Sequence, residues 1–147
     1  MPRKAWAIPT RGNQYAADIA AAELNNGIPN KLLGRLLYQE SRFRPDIISG
    51  ETVSSAGALG IAQIVPRWHP QAEPLNPQAS IYYAAEYLRK LFDKFGTWRR
   101  ALAAYNWGPG NLTKAIEKNG DNWIAVVPKE TQNYVTQITA DVPISQV

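Results

Sequence analysis

Through most of the chain, apolar side chains return every three to four positions, the spacing that lines one face of a helix. The alanine-rich stretch from Gln14 to Leu24 predicts a first helix, stopped by Asn25, Asn26 and Gly27. Pro29 is expected to open a second, on which Leu32, Leu33, Leu36 and Leu37 form an apolar face. From Pro45 to Leu59 the chain turns polar and rich in glycine and serine, which predicts a loop. A short apolar turn, GIAQIV, follows and is closed by Pro66, and the proline-rich segment from Arg67 to Pro77 reads as irregular. The most regular stripe, Ile81, Ala84, Ala85, Leu88, Leu91, Phe92 and Phe95, predicts a helix from Pro77 to Phe95, ended by Gly96. Trp98 to Asn106 predicts the next, broken by Gly-Pro-Gly, and Asn111 to Lys118 another. A last helix is expected near Pro128, with Glu130 in its first turn and Tyr134, Val135 and Ile138 on its apolar side. No alternating strand pattern, internal repeat or low-complexity tract interrupts this picture. The fold class that follows is all-α, one domain over residues 1–147 with six or seven helices and little or no sheet.

Composition narrows the chemistry. At 147 residues the chain is long enough for one real core, since a chain of about 150 residues buries roughly 70% of its unfolded surface. The net charge of +4 suggests an anionic partner, an envelope polymer or a nucleic acid. Its basic doublets, Arg3-Lys4, Arg89-Lys90 and Arg99-Arg100, are scattered as on solvated helix faces, so no nucleic acid is expected. The absence of cysteine removes disulfides and thiolate metal sites. His69 is the one histidine and has no second ligand pair in view, so neither metal nor cofactor is expected. The N-terminus lacks a continuous apolar segment and no run is long enough to span a membrane. The chain is therefore expected to be made without a signal peptide and to act as a monomer. A substrate outside the cytoplasm would have to be reached by some route other than ordinary secretion.

Leu32, Leu36 and Glu40 fall at i, i+4 and i+8, so the leucine face of the second helix runs into a carboxylate. At that place partial burial and the negative end of the helix both favour the protonated acid, the state that a general acid for glycosidic cleavage needs. A helix-end glutamate with its stem on leucines and its head in water has the same local pattern. Other chemistry-bearing residues sit at breaks between helices. Gly57 and Gly60, in SSAGALGIAQIVP, mark close approach or positive φ; YNWGPG puts Tyr105 and Asn106 at a helix end; ETQNYV puts Glu130 and Tyr134 four apart on one face. Each taken alone also fits a plain structural role.

In order, ESRFRP, SSAGALGIAQIVP, NPQASIYYAAEYLRKLFDKFGTWRRALAAYNWGPG and PKETQNYV resemble the catalytic domain of the soluble lytic transglycosylase family over about residues 14–140. The resemblance implies a lysozyme-like fold around a cleft for peptidoglycan glycan strands. It implies that Glu40 is the catalytic acid and that Ser41, the serine after it, binds substrate. It further implies that Ser54 and Gln63 hold sugar and acetamido groups, and that Tyr105, Asn106, Glu130 and Tyr134 complete the cleft, with Tyr134 close enough to orient Glu40. The expected reaction cleaves the bond between N-acetylmuramic acid and N-acetylglucosamine and closes a 1,6-anhydro ring. Two alternatives stay open: a hydrolytic muramidase of goose-type lysozyme character drawing on Asp46 or Glu51, and a non-catalytic peptidoglycan-binding virion module. Departures are the longer loop before Ser54, Trp107 where the family has alanine, and Ala62 and Val65 where it often has methionine. Trp107 stands equally as a sugar platform and as a core filler. A short chain of this kind resembles a phage lysin, kept in the host cytoplasm before release to the periplasm or carried in the virion.

Overall fold

The computed structural model describes residues 5–143 and 146–147; the Arg3-Lys4 doublet lies outside them. Helices are α1 (Ala16–Asn26), α2 (Leu32–Ser41), α3 (Pro45–Ile48), α4 (Pro77–Phe95), α5 (Trp98–Trp107), α6 (Pro109–Asn119), α7 (Trp123–Val126) and α8 (Lys129–Thr139). Short 3-10 turns precede α1 and α7. Among the described residues no β-strand forms, only an isolated bridge between Leu59 and Ile64, so the all-α expectation holds. No helix among them is long and apolar enough to cross a membrane.

Several predicted boundaries shift for local reasons. The first helix starts later and ends later than expected, because Thr10–Tyr15 winds as a 3-10 turn ahead of it. Pro29 does not open α2: it lies in the preceding turn, where its carbonyl accepts from the Leu32 amide at 3.1 Å. The loop expected from Pro45 begins instead with α3, since Pro45 fits the first helical position and Asp46 suits the positive end of that turn. Likewise α6 begins at Pro109, not Asn111. Sequence spacing gave no sign of α7.

Two compact units divide the chain, Met1–Glu86 and Tyr87–Val147. In the first, α1 packs on α2, and Ile19, Ala22, Leu32, Leu33, Leu36 and Leu37 are buried with Phe43, Ile61 and Ile64. Trp6, without a role in the sequence reading, lies edge-on to Tyr38 at 6.2 Å and against the bare Cα of Gly34. In the second, α5 packs on α6 and α8 through Ala101, Leu102, Ala104, Leu112, Val135 and Ile138, all fully buried. Phe92 stacks on Trp98 at 4.1 Å, and the Thr97 hydroxyl caps α5 by accepting from the Arg100 amide.

Candidate active site

α2 holds its position through an acid from a different helix. Lys31, the residue before it, has φ 73° and offers no side-chain cap. Glu23 of α1 supplies one instead: its carboxylate accepts from the Leu33 amide at 2.9 Å and also from the amides of Lys31 and Gly34. Glu23 is buried, and burial pushes its carboxyl above the usual range against the pull of those three amides.

The far end of α2 stops abruptly. Arg42 and Phe43 both adopt left-handed backbone, at φ 55° and 54°, and the Arg42 amide donates to the Tyr38 carbonyl at 2.8 Å. Ser41 is fully buried; its hydroxyl donates to the Leu37 carbonyl and accepts from the Phe43 amide, so both of its bonds shape the helix end. Glu40, one residue earlier, is half-buried at the foot of the leucine face.

Beyond α3, bonds in place of helices fix the chain. Asp46 accepts from the Thr52 hydroxyl at 2.7 Å and pairs with Arg44 at 2.9 Å; the Thr52 bond first, then the guanidinium, hold its carboxyl below the usual range. Glu51 is exposed. Ser54 closes the next turn: its hydroxyl accepts from the Ala58 amide at 2.9 Å and its own amide donates to the Ala58 carbonyl. Leu59 and Ile64 then exchange both backbone bonds around a tight turn that bears Gln63. Gln63 is half-buried, with φ 50°, and its side-chain amide donates to the Gly60 carbonyl at 3.0 Å. Gly60, at φ 78°, has no room for a Cβ, which would collide with the Pro74 carbonyl oxygen.

Among the described residues, four other than glycine carry positive φ, Lys31, Arg42, Phe43 and Gln63, and all lie beside α2 or in the Gln63 turn. Such conformations cost of order 1–3 kcal/mol each and persist where surrounding structure imposes them, often at functional sites. Two of them, Arg42 and Phe43, directly follow the helix that carries the candidate acid.

In the second unit, Tyr105 and Asn106 stand half-buried in the last turn of α5, before Gly108 at φ 105°. The Tyr105 ring lies 5.7 Å from that of Tyr87. The Asn106 side-chain oxygen accepts from the buried hydroxyl of Thr131 at 2.8 Å, which ties the YNWGPG turn to α8. Thr131 is a residue that sequence reasoning passed over, although it sits inside ETQNYV. On α8, Glu130 is exposed and Tyr134 buried, so the face they share is the border of the core. Trp107 is half-buried. The candidate residues thus fall into two groups, Glu40, Ser41, Ser54 and Gln63 in one unit, Tyr105, Asn106, Glu130 and Tyr134 in the other.

His69 is occupied by a ring partner: its Nδ1 lies 2.7 Å from the Tyr83 hydroxyl, and burial lowers its pKa. Among the described residues no group of three or more His, Asp or Glu is placed to hold a metal ion.

Comparison with known proteins adds to this geometry. The family profile described as the Transglycosylase SLT domain matches residues 18–127. Membrane-bound lytic murein transglycosylase D of Escherichia coli is 29% identical over 151 aligned residues, covering 90% of this chain and 32% of that protein. Peptidoglycan transglycosylase gp16 of Escherichia phage T7 is 30% identical, covering 77% of this chain and 9% of that protein. A transglycosylase of Enterobacteria phage PRD1 is 29% identical, covering 70% and 43%. The chain therefore spans less than half the length of each of these relatives.

Proposed function

Because this chain belongs to the transglycosylase SLT domain family, we propose that it is a peptidoglycan lytic transglycosylase with Glu40 as its acid and base. It cleaves the β-1,4 bond between N-acetylmuramic acid and N-acetylglucosamine. Glu40 gives its proton to the glycosidic oxygen as that bond breaks. The resulting carboxylate then takes the proton of the muramic acid C6 hydroxyl as its oxygen bonds to C1, which leaves a 1,6-anhydro end and regenerates the acid. No water enters and no second carboxylate is needed.

The observation that carries this reading is the half-buried Glu40 at the penultimate position of α2, between fully buried leucines and a left-handed helix stop. Gln63, Ser54, Tyr105, Asn106, Glu130 and Tyr134 act as glycan-binding residues. The state of Asp46 weighs against a hydrolytic role, since its carboxylate is committed to Thr52 and Arg44 and ties down its own loop. Two of the similar proteins are phage transglycosylases, which supports a phage lysin that degrades the host cell wall.

Mass spectrometry of digested murein tests the reaction. Anhydro ends, one water lighter than reducing ends, are expected; reducing ends would mean a muramidase. Glu40→Gln is expected to lower turnover by roughly a hundredfold to ten-thousandfold while leaving the fold and glycan binding in place. A Glu40→Gln variant with full activity would sink the assignment.

A further inference from the structure

The segment after the Gln63 turn carries an aromatic side chain that the proposed chemistry leaves unused. Trp68 is 68% exposed, whereas Trp98 and Trp123 are buried and Trp6 and Trp107 are half-buried. A large apolar side chain left in water forgoes the favourable free energy of burial. A loose loop does not account for the exposure, because this segment is anchored along its length. The Trp68 amide donates to the Val65 carbonyl at 3.0 Å, and the next residue, His69, is held by Tyr83 at 2.7 Å. The Ser80 hydroxyl donates to the Glu73 carbonyl at 2.8 Å. Gly60 lets the Pro74 backbone sit directly on the turn that bears Gln63. Prolines at 66, 70 and 74 restrict what freedom remains. The result is an indole carried on a backbone held in place by the surrounding residues.

Charge indicates what the indole meets. The Arg67 guanidinium carbon lies over the Trp68 ring, 4.9 Å from its centroid, so a permanent cation is held on one face of the indole. An aromatic face flanked by a fixed cation suits a ligand with an apolar C–H face next to an acidic group. A pyranose ring in a glycan strand that bears acidic peptide stems has both.

We propose that Trp68 and Arg67 form an added glycan subsite, in which the indole stacks on a sugar ring of the peptidoglycan strand and Arg67 pairs with a carboxylate of its peptide stem. The subsite rests on the transglycosylase reading and adds strand affinity to it without touching the reacting bond.

The test compares the full chain with its Trp68→Ala variant on long solubilised glycan strands and on a short disaccharide-repeat fragment. On long strands KM is expected to rise about three- to tenfold with kcat unchanged; on the short fragment both constants stay put. Trp68→Phe, which keeps a ring, restores most of the affinity. Arg67→Gln raises KM on stem-bearing strands and not on strands stripped of their peptides. An unchanged KM on long strands overturns the subsite, and so does an equal loss on both substrates, which would assign Trp68 to the reacting site or to folding. Loss of binding to phosphatidylglycerol vesicles with strand KM unchanged overturns it in favour of a membrane contact. Titration of Glu40→Gln with long strands, with and without Trp68→Ala, reads the subsite without cleavage, so its failure is separable from failure of the catalytic assignment.

Discussion

Residues 49–76 and residues 98–139 order their backbone by opposite means. The first stretch contains no helix, and its buried apolar side chains are Ile61, Ala62 and Ile64. It is held by particular bonds: Ser54 to Ala58, Leu59 to Ile64, Gln63 to Gly60, and the bare Cα of Gly60 against Pro74. The second stretch is nearly continuous helix, α5 to α8, held by an interior of Ala101, Leu102, Ala104, Leu112, Val135 and Ile138. Order in the first depends on which atom sits where; order in the second depends on how much apolar volume is enclosed. Displaying polar groups and an exposed tryptophan is compatible with the first arrangement, because its stability does not require those side chains to be buried.

The contrast can be broken from either side. The largest effect is expected for Gly60→Ala, which adds one methyl group to a residue at φ 78° with the Pro74 carbonyl in its way. Left-handed strain together with the forced shift should cost about 4 kcal/mol, read as a fall in denaturation midpoint, with loss of murein turnover as the Gln63 turn moves. Leu102→Ala in α5 removes several buried methyl groups at a fully buried position and should cost about 3 kcal/mol. Leu102→Met, which conserves volume, should cost less than about 1.5 kcal/mol. A Gly60→Ala variant as stable as the parent would show that the loop yields as freely as an ordinary surface turn. An equal cost for Leu102→Ala and Leu102→Met would show that α5 is not held by volume.

The same contrast explains what is legible in the sequence. α4, α5 and α8 follow from apolar spacing because each buries a stripe, and the Leu32, Leu36, Glu40 register places a half-buried acid at a helix end for the same reason. Periodicity is silent where a distant atom decides the backbone. The cap that Glu23 gives α2 joins residues ten positions apart on different helices, and nothing in α1 distinguishes it from an ordinary helix-face glutamate. The left-handed backbone of Arg42, Phe43 and Gln63 is imposed by packing on residues with no preference for it. Thr131 is hidden similarly: a threonine in an amphipathic helix signals nothing until Asn106 is placed against it.

A smaller prediction concerns the support under Trp68, and its sign follows from the cause of the His69 shift. Burial lowers the His69 pKa from its ordinary 6.5, so the unfolded chain takes up a proton at a higher pH than the folded chain does. Above 6.5 both states are neutral and the contribution of the buried ring is complete. As pH falls through 6.5 toward the lower folded value, the unfolded state gains protons first and stability is lost. The parent protein should therefore show a lower melting temperature at about pH 5.5 than at about pH 7.5, with a component that His69→Gln removes. Tyr83→Phe separates the two influences on the ring. Because burial, not the tyrosine hydroxyl, causes the shift, that variant should be less stable at both pH values yet keep most of the dependence. If His69→Gln leaves the slope between the two pH values intact, carboxylates elsewhere carry it and the ring pair is a pH-indifferent strut.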